Sequence, residues 1–212
     1  MRRAAFQQWR EATLAPFSQR VYALFWWASM ASALGSMIQI VGASWLMATI
    51  APSADRVALV QTATALPLFF FSLIAGAYAD THDRRTIMLV SQLLMLVASI
   101  VLAAATLLHV ITPGLLLGLT FLIGCGTAAF APAWQASISE QVPRTQMAAA
   151  VMANAVGYNL ARSVGPAIGG VIVATAGAAV AFVVNAISYI GMLATIIWWR
   201  PQRLRRTLPP EP

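Results

Sequence analysis

Five stretches of this chain carry no Asp, Glu, Lys or Arg: residues 21–54, 57–79, 86–139, 145–161 and 163–199. A helix that crosses the hydrocarbon of a bilayer needs about 20 apolar residues, at about 1.5 Å of rise each. The charge-free windows have room for six such helices. Their predicted spans are about 22–50, 57–79, 87–108, 114–134, 148–174 and 178–199. Composition agrees: 60% of the residues are hydrophobic and only 9% charged, whereas soluble domains are nearer 45–50% apolar and a quarter charged. The predicted class is an all-α membrane protein.

The turns between spans follow from the punctuation. Residues 51–56, APSADR, close the first span, and HVITPG (109–114) and TAGAA (175–179) close the third and fifth. Polar SISEQVPRTQ (137–146) separates the fourth span from the fifth. Pro67 lies inside the second span, where a membrane helix tolerates it and bends. Residues 1–20 hold Phe6, Trp9 and four Arg, so they read as a basic segment at the membrane surface. Residues 200–212 read as a basic, Pro-rich tail. No cleaved signal peptide is predicted, because the first apolar run far exceeds an ordinary h-region.

All 13 basic residues are Arg, and the net charge is +7. A nucleic-acid-binding protein would spread such charge over one face. Here it collects at span ends. With six spans, Arg2, Arg3, Arg10, Arg20, Arg84, Arg85, Arg144, Arg200, Arg203, Arg205 and Arg206 fall on one side and only Arg56 on the other. The positive-inside rule then puts both termini in the cytoplasm. The single Cys125 lacks both a disulfide partner and metal-site spacing, so it reads as a small core residue. No phosphate loop, metal cluster or nucleophile–base pair is legible, so neither enzyme activity nor a cofactor is expected.

Residues 76–85, GAYADTHDRR, concentrate charge in the turn between spans two and three. Asp83 is placed to cap the third helix, since a carboxylate suits a helix N-terminus. Asp80 ends the second helix, and Arg84 and Arg85 anchor the turn. The order Gly76-x-x-x-Asp80-x-x-x-Arg84-Arg85 resembles the loop 2–3 signature of the major facilitator superfamily, G-x-x-x-D-R/K-x-G-R-R/K. Thr81 replaces the basic residue and Asp83 the glycine. QTATALPLFFFSLIAGAYADTHDRR, FAPAWQASISEQVPRTQMAAA and NLARSVGPAIGG together resemble the exporter branch that includes enterobactin (siderophore) exporters and transmembrane secretion effectors. The resemblance covers residues 20 to 200.

That resemblance implies the N-terminal six-span half of a twelve-span fold, with 3+3 inverted repeats, in a bacterial inner membrane. It implies a gate in which Asp80, Arg84 and Arg85 contact a neighbouring helix. Gly165-Pro166-x-x-Gly169-Gly170 is similar to the GP-x-x-GG core of the family's span-five motif, although Ala161 stands where an upstream glycine is usual. Small residues there allow close helix approach, and Pro166 bends the helix. The span-four Arg of the family is replaced by Thr120, and no span holds a carboxylate, so no proton carrier is visible.

Arg162 lies deep in the fifth span. An isolated Arg there costs at least about 2.5–3.5 kcal/mol, so it is expected to face the bundle interior. Asn154, Tyr158 and Arg162 recur at i, i+4 and i+8 and form a polar stripe, flanked by Asn159. With Gln39 and Gln61 they are the substrate-path candidates, and Thr62 and Thr64 are further polar cavity positions. The expected substrate is a small anionic or amphipathic molecule. The expected partners are the lipid bilayer and either a second transporter half or a second copy. The competing reading is a six-span scaffold or assembly subunit that does not transport.

Overall fold

A computed structural model of the chain describes residues 13–81 and 83–199, with side chains described except at 72–81. Among them six long helices follow one another: α1 (Arg20–Ile50), α2 (Ala54–Thr81), α3 (Arg84–Leu107), α4 (Pro113–Gln141), α5 (Met147–Ala176) and α6 (Ala178–Trp198). Without water to bond the backbone, apolar runs close their hydrogen bonds within helices. On length and composition alone, α1, α3, α4 and α6 are apolar enough to cross a membrane.

Local chemistry sets the breaks. Helix α3 ends in a Schellman arrangement: His109 N–H bonds Thr106 O at 3.2 Å and Val110 N–H bonds Ala105 O at 3.0 Å. This forces His109 to φ 57°, a left-handed conformation that favours glycine. Helix α4 starts with Thr112 as N-cap, its hydroxyl accepting from Leu115 N–H at 3.3 Å, and Pro113 follows in the first turn. A single residue, Gly177 at φ 82°, separates α5 from α6.

One boundary differs from the sequence reading. The fourth helix does not stop near 134 but runs on to Gln141. Ser137 and Gln141 are buried and bonded to each other at 3.0 Å, so polar residues continue the helix against its neighbours. Pro143 is the breaker.

The packing is not sequential. Helix α1 packs on α5 and α6, α4 packs on α2 and α3, and α3 packs on α6. Helices α2 and α5 therefore flank the α1–α4 pair on the side away from α3 and α6. The largest core joins α1, α3, α4 and α6 around Met47, Leu102, Leu116, Phe182 and Tyr189. A second core at the other end stacks Phe25 against Trp134, ring centroids 5.2 Å apart, and sets it edge-on to Trp199 at 5.3 Å.

Glycines set the closest approaches. A Cβ at Gly165 would lie 2.5 Å from Met37 Cβ, and one at Gly169 3.1 Å from Ile38 Cα, so α5 rides on the α1 backbone. A Cβ at Gly124 of α4 would meet Thr64 O at 2.9 Å and Ala63 O at 3.2 Å. Pro67 has no N–H to bond Ala63 O, so the α4 backbone covers a carbonyl that the proline frees.

Candidate functional site: an arginine-anchored helix end and an exposed polar face on α5

Two places gather the polar residues. The first is the end of the bundle where α3 begins. Arg84 donates from Nη1 to Glu140 Oε1 and to Ala136 O, both at 3.1 Å, and so ties α3 to the last turns of α4. Arg85 donates from Nε to Ile196 O at 3.1 Å and from Nη2 to Ile197 O at 2.7 Å. These carbonyls close α6, and a cation beside a helix C-terminus also meets the negative end of the dipole. Two adjacent Arg therefore hold two different helices. Glu140 escapes a reading of the 76–85 signature, because it lies 56 residues from its partner; that it is the one acid in α4 is the signal that would have found it.

Asp83 stands at the N-cap of α3, as its position predicts, but no side-chain bond to a helix N–H is made. Its Oδ2 accepts from the Thr86 hydroxyl at 2.8 Å instead. The expected cap is thus corrected to a side-chain bridge across the first turn. Gly76 and Asp80 lie within the α2 backbone, and the Asp80 side chain falls outside the described residues.

The same end pins α5. Tyr22 of α1 donates its hydroxyl to Ala150 O at 2.8 Å and lies 3.2 Å from Asn154 Oδ1. Trp26 Nε1 donates to Ala153 O at 3.1 Å. Asn154 Nδ2 is buried without a partner. These two aromatic donors clamp the first turns of α5 onto α1.

The second place is the outward face of α5. Gly157, Ala161, Gly165, Gly169 and Val173 form the buried seam. One position further round runs an exposed stripe of Tyr158, Arg162, Pro166 and Gly170. The seam takes the face of smallest residues because only they allow the α1 approach; the larger side chains are turned out. Arg162 therefore does not face the interior of the six-helix bundle, contrary to the expectation from its depth. It is exposed and makes no hydrogen bond or ion pair among the described residues. It sits 15 residues from Met147 and 14 from Ala176, about 22 Å from either helix end. Asn159 and Ser163 are also exposed, but they bond the carbonyls of Ala155 and Asn159 one turn back.

Gln39 belongs elsewhere. It is 3% exposed, and its Oε1 accepts from Asn185 Nδ2 at 2.5 Å and Ser99 Oγ at 2.8 Å. It joins α1, α3 and α6 behind the α5 face, so its assignment to a substrate path is corrected to a buried link. Gln61 is exposed on α2. Beside it an apolar groove of about 340 Å³ opens between α2 and α4, lined by Leu59, Leu66, Leu117 and Phe121 among others.

A family model described as transmembrane secretion effector matches residues 11–212. The multidrug efflux pump Tap of Mycobacterium tuberculosis is 31% identical over 166 residues, 73% of this chain and 38% of that protein. The staphyloferrin A transporter of Staphylococcus aureus is 27% identical over 157 residues, covering 74% and 40%. The MFS-type transporter YfiS of Bacillus subtilis is 26% identical over 175 residues, covering 81% and 40%. The chain thus spans about two fifths of the length of these curated relatives. No solved structure gives a significant match. The relatives are transporters rather than enzymes. With a family match over nearly its whole length and helices apolar enough to enter a bilayer, the chain is a multi-pass membrane protein and belongs to the transmembrane secretion effector family of the major facilitator superfamily.

Proposed function

We propose that this chain is a six-span half of a secondary exporter for small anionic or amphipathic molecules, siderophore-like or drug-like, in a bacterial inner membrane. Residues 21–199 form the membrane domain, with residues 1–20 and 200–212 as basic cytoplasmic segments. Helices α2 and α5 cross alongside the other four; at 28 and 30 residues they are long enough. The 3+3 repeat is supported by the packing, in which exchanging α1, α2, α3 for α4, α5, α6 returns the same helix pairs. Both termini are cytoplasmic, a reading supported by the gathering of Arg20, Arg84, Arg85 and Arg144 at one end.

The observation that carries this reading is the outward face of α5. A helix that exposes Tyr158, Asn159 and Arg162 at mid-depth is a poor surface for lipid. It suits the wall of a path between two halves, which the relatives' greater length accommodates. Asn154, Tyr158, Arg162 and Gln61 are the residues we assign to that path, with Arg162 meeting the anionic group of the substrate. Asp80, Arg84 and Arg85, with Gly76 on α2 and Asp83 in the turn, act as the cytoplasmic gate. The Arg84–Glu140 pair and the Arg85 contacts support this, since they make and break as one unit when α3 moves against α4 and α6. Gly165, Pro166, Gly169 and Gly170 let α5 bend on α1.

The test is export of a catecholate siderophore from whole cells that produce the chain with its second half, with assembly size measured in detergent. Arg162→Ala is expected to abolish export while the chain stays folded and inserted in the membrane. Asp80→Asn is expected to slow export more than it weakens binding. Full export by Arg162→Ala would overturn the assignment, and a folded assembly that exports nothing would favour the scaffold reading.

A further inference from the structure

We infer that the surface covering α5 belongs not to a second copy of this chain but to a non-identical membrane segment that places a carboxylate at mid-depth opposite Arg162. This rests on the half-transporter reading above and names the chemistry of the missing half.

Arg162 is exposed at the centre of a 30-residue helix and has no acceptor among the described residues. Its side chain cannot snorkel to either end across about 22 Å. Pro166 adds a second demand at the same spot. It removes the N–H that would bond the carbonyl of Arg162, so a cation and a carbonyl without its helical donor are presented together. When the face closes, dry contact requires an acceptor for the guanidinium.

A second copy cannot supply it. The chain has six acidic residues: Glu11, Asp55, Asp80, Asp83, Glu140 and Glu211. Asp55 and Asp80 stand at the two ends of α2, Asp83 precedes α3 and is bonded by Thr86, Glu140 closes α4 and is held by Arg84, and Glu11 and Glu211 lie outside the described residues. None of the four acids in the described residues lies near mid-depth. A two-fold axis along the membrane normal keeps each residue at its own depth, so a homodimer would bury two Arg162 side chains and no carboxylate from the described helices. An inverted pair fares no better, since both orientations draw on the same six acids. A guanidinium accepts a carboxylate as a bidentate partner better than any neutral group. In the working transporter that carboxylate holds Arg162 until the substrate anion replaces it.

The test reads association rather than export. The 212-residue chain is placed in lipid nanodiscs and its stoichiometry read by native mass spectrometry. Differently tagged copies carry a single Glu in place of Leu66, Phe69 or Phe70, exposed positions near the middle of α2. The unmodified chain is expected to pair weakly with itself. Mixed pairs with at least one Glu-bearing copy are expected to rise roughly tenfold, about 1.4 kcal/mol, and Arg162→Leu in the unmodified partner returns them to the baseline. A stable homodimer as abundant as any mixed pair overturns the inference, as do mixed pairs indifferent to Arg162→Leu. Should the Glu-bearing copies fail to insert, Arg162→Leu decides alone: self-pairing no stronger than that of the unmodified chain is also an overturning result. A homodimer would leave the exporter reading standing, whereas loss of that reading would show in the export assay and not here.

Discussion

At His109 the backbone is left-handed although the residue carries a Cβ. The Schellman bonds at the end of α3 demand that conformation, and a non-glycine residue held there costs about 1 kcal/mol or more. His109→Gly should therefore raise thermal stability by about that amount, read as the midpoint of unfolding in detergent. A second residue-scale contrast lies on α5. Any side chain at Gly165 runs into Met37, while a Cβ at Gly170 meets nothing within 4 Å. Gly165→Val should destabilise by about 1–3 kcal/mol, and Gly170→Val should leave stability unchanged. Equal effects would mean that α5 does not ride on α1 as described. The Arg84–Glu140 pair is partly exposed, so a double-mutant cycle on stability should return only about 0.2–1 kcal/mol of coupling. Its larger effect is expected on the balance between transporter states.

Among the helices, the buried link of Gln39, Ser99 and Asn185 ties α1, α3 and α6. Gln39→Leu leaves Asn185 Nδ2 without its acceptor, while Ser99 Oγ keeps Phe182 O at 3.2 Å, and a buried polar group left unpaired costs about 1–3 kcal/mol. The expected outcome is a lower unfolding midpoint, partly restored by adding Asn185→Leu. This element scale is also where the sequence was most and least informative. Helix extents were legible except at the end of α4, predicted at about 134 and found at Gln141. An apolar run in lipid has no alternative to a helix, and Pro52, Pro113 and Gly177 mark the other breaks. Helix facing was not. The depth of Arg162 was readable from its position, yet its direction depends on which helix α5 chooses as neighbour. The seam of Gly157, Ala161, Gly165 and Gly169 takes that neighbour, and the next position round is turned outward. Gln39 failed for the same reason: a lone Gln in a span says that a hydrogen bond will be made, not with what. The Arg-rich turn stood out as a cluster in sequence, but its partners on α4 and α6 are long-range and only the packing brings them together.

For the whole molecule, the two kinds of exposed surface have different chemistry. The outward face of α3 is purely apolar, with Val90, Leu93, Val97 and Ile100 exposed. The outward face of α5 exposes Tyr158, Asn159, Arg162 and Ser163. The half-transporter we propose would account for the difference, with lipid on the α3 side and a wetted path on the α5 side. The most direct measurement is labelling of single cysteines by a membrane-impermeant maleimide in native membranes, in a Cys125→Ser background. Ser163→Cys on α5 and Val97→Cys on α3 are both at exposed positions near the middle of their helices. The account predicts rapid labelling at 163, slowed by a transported anion, and none at 97. Equal protection of both positions, or labelling at 163 indifferent to every substrate tried, would contradict a path along α5.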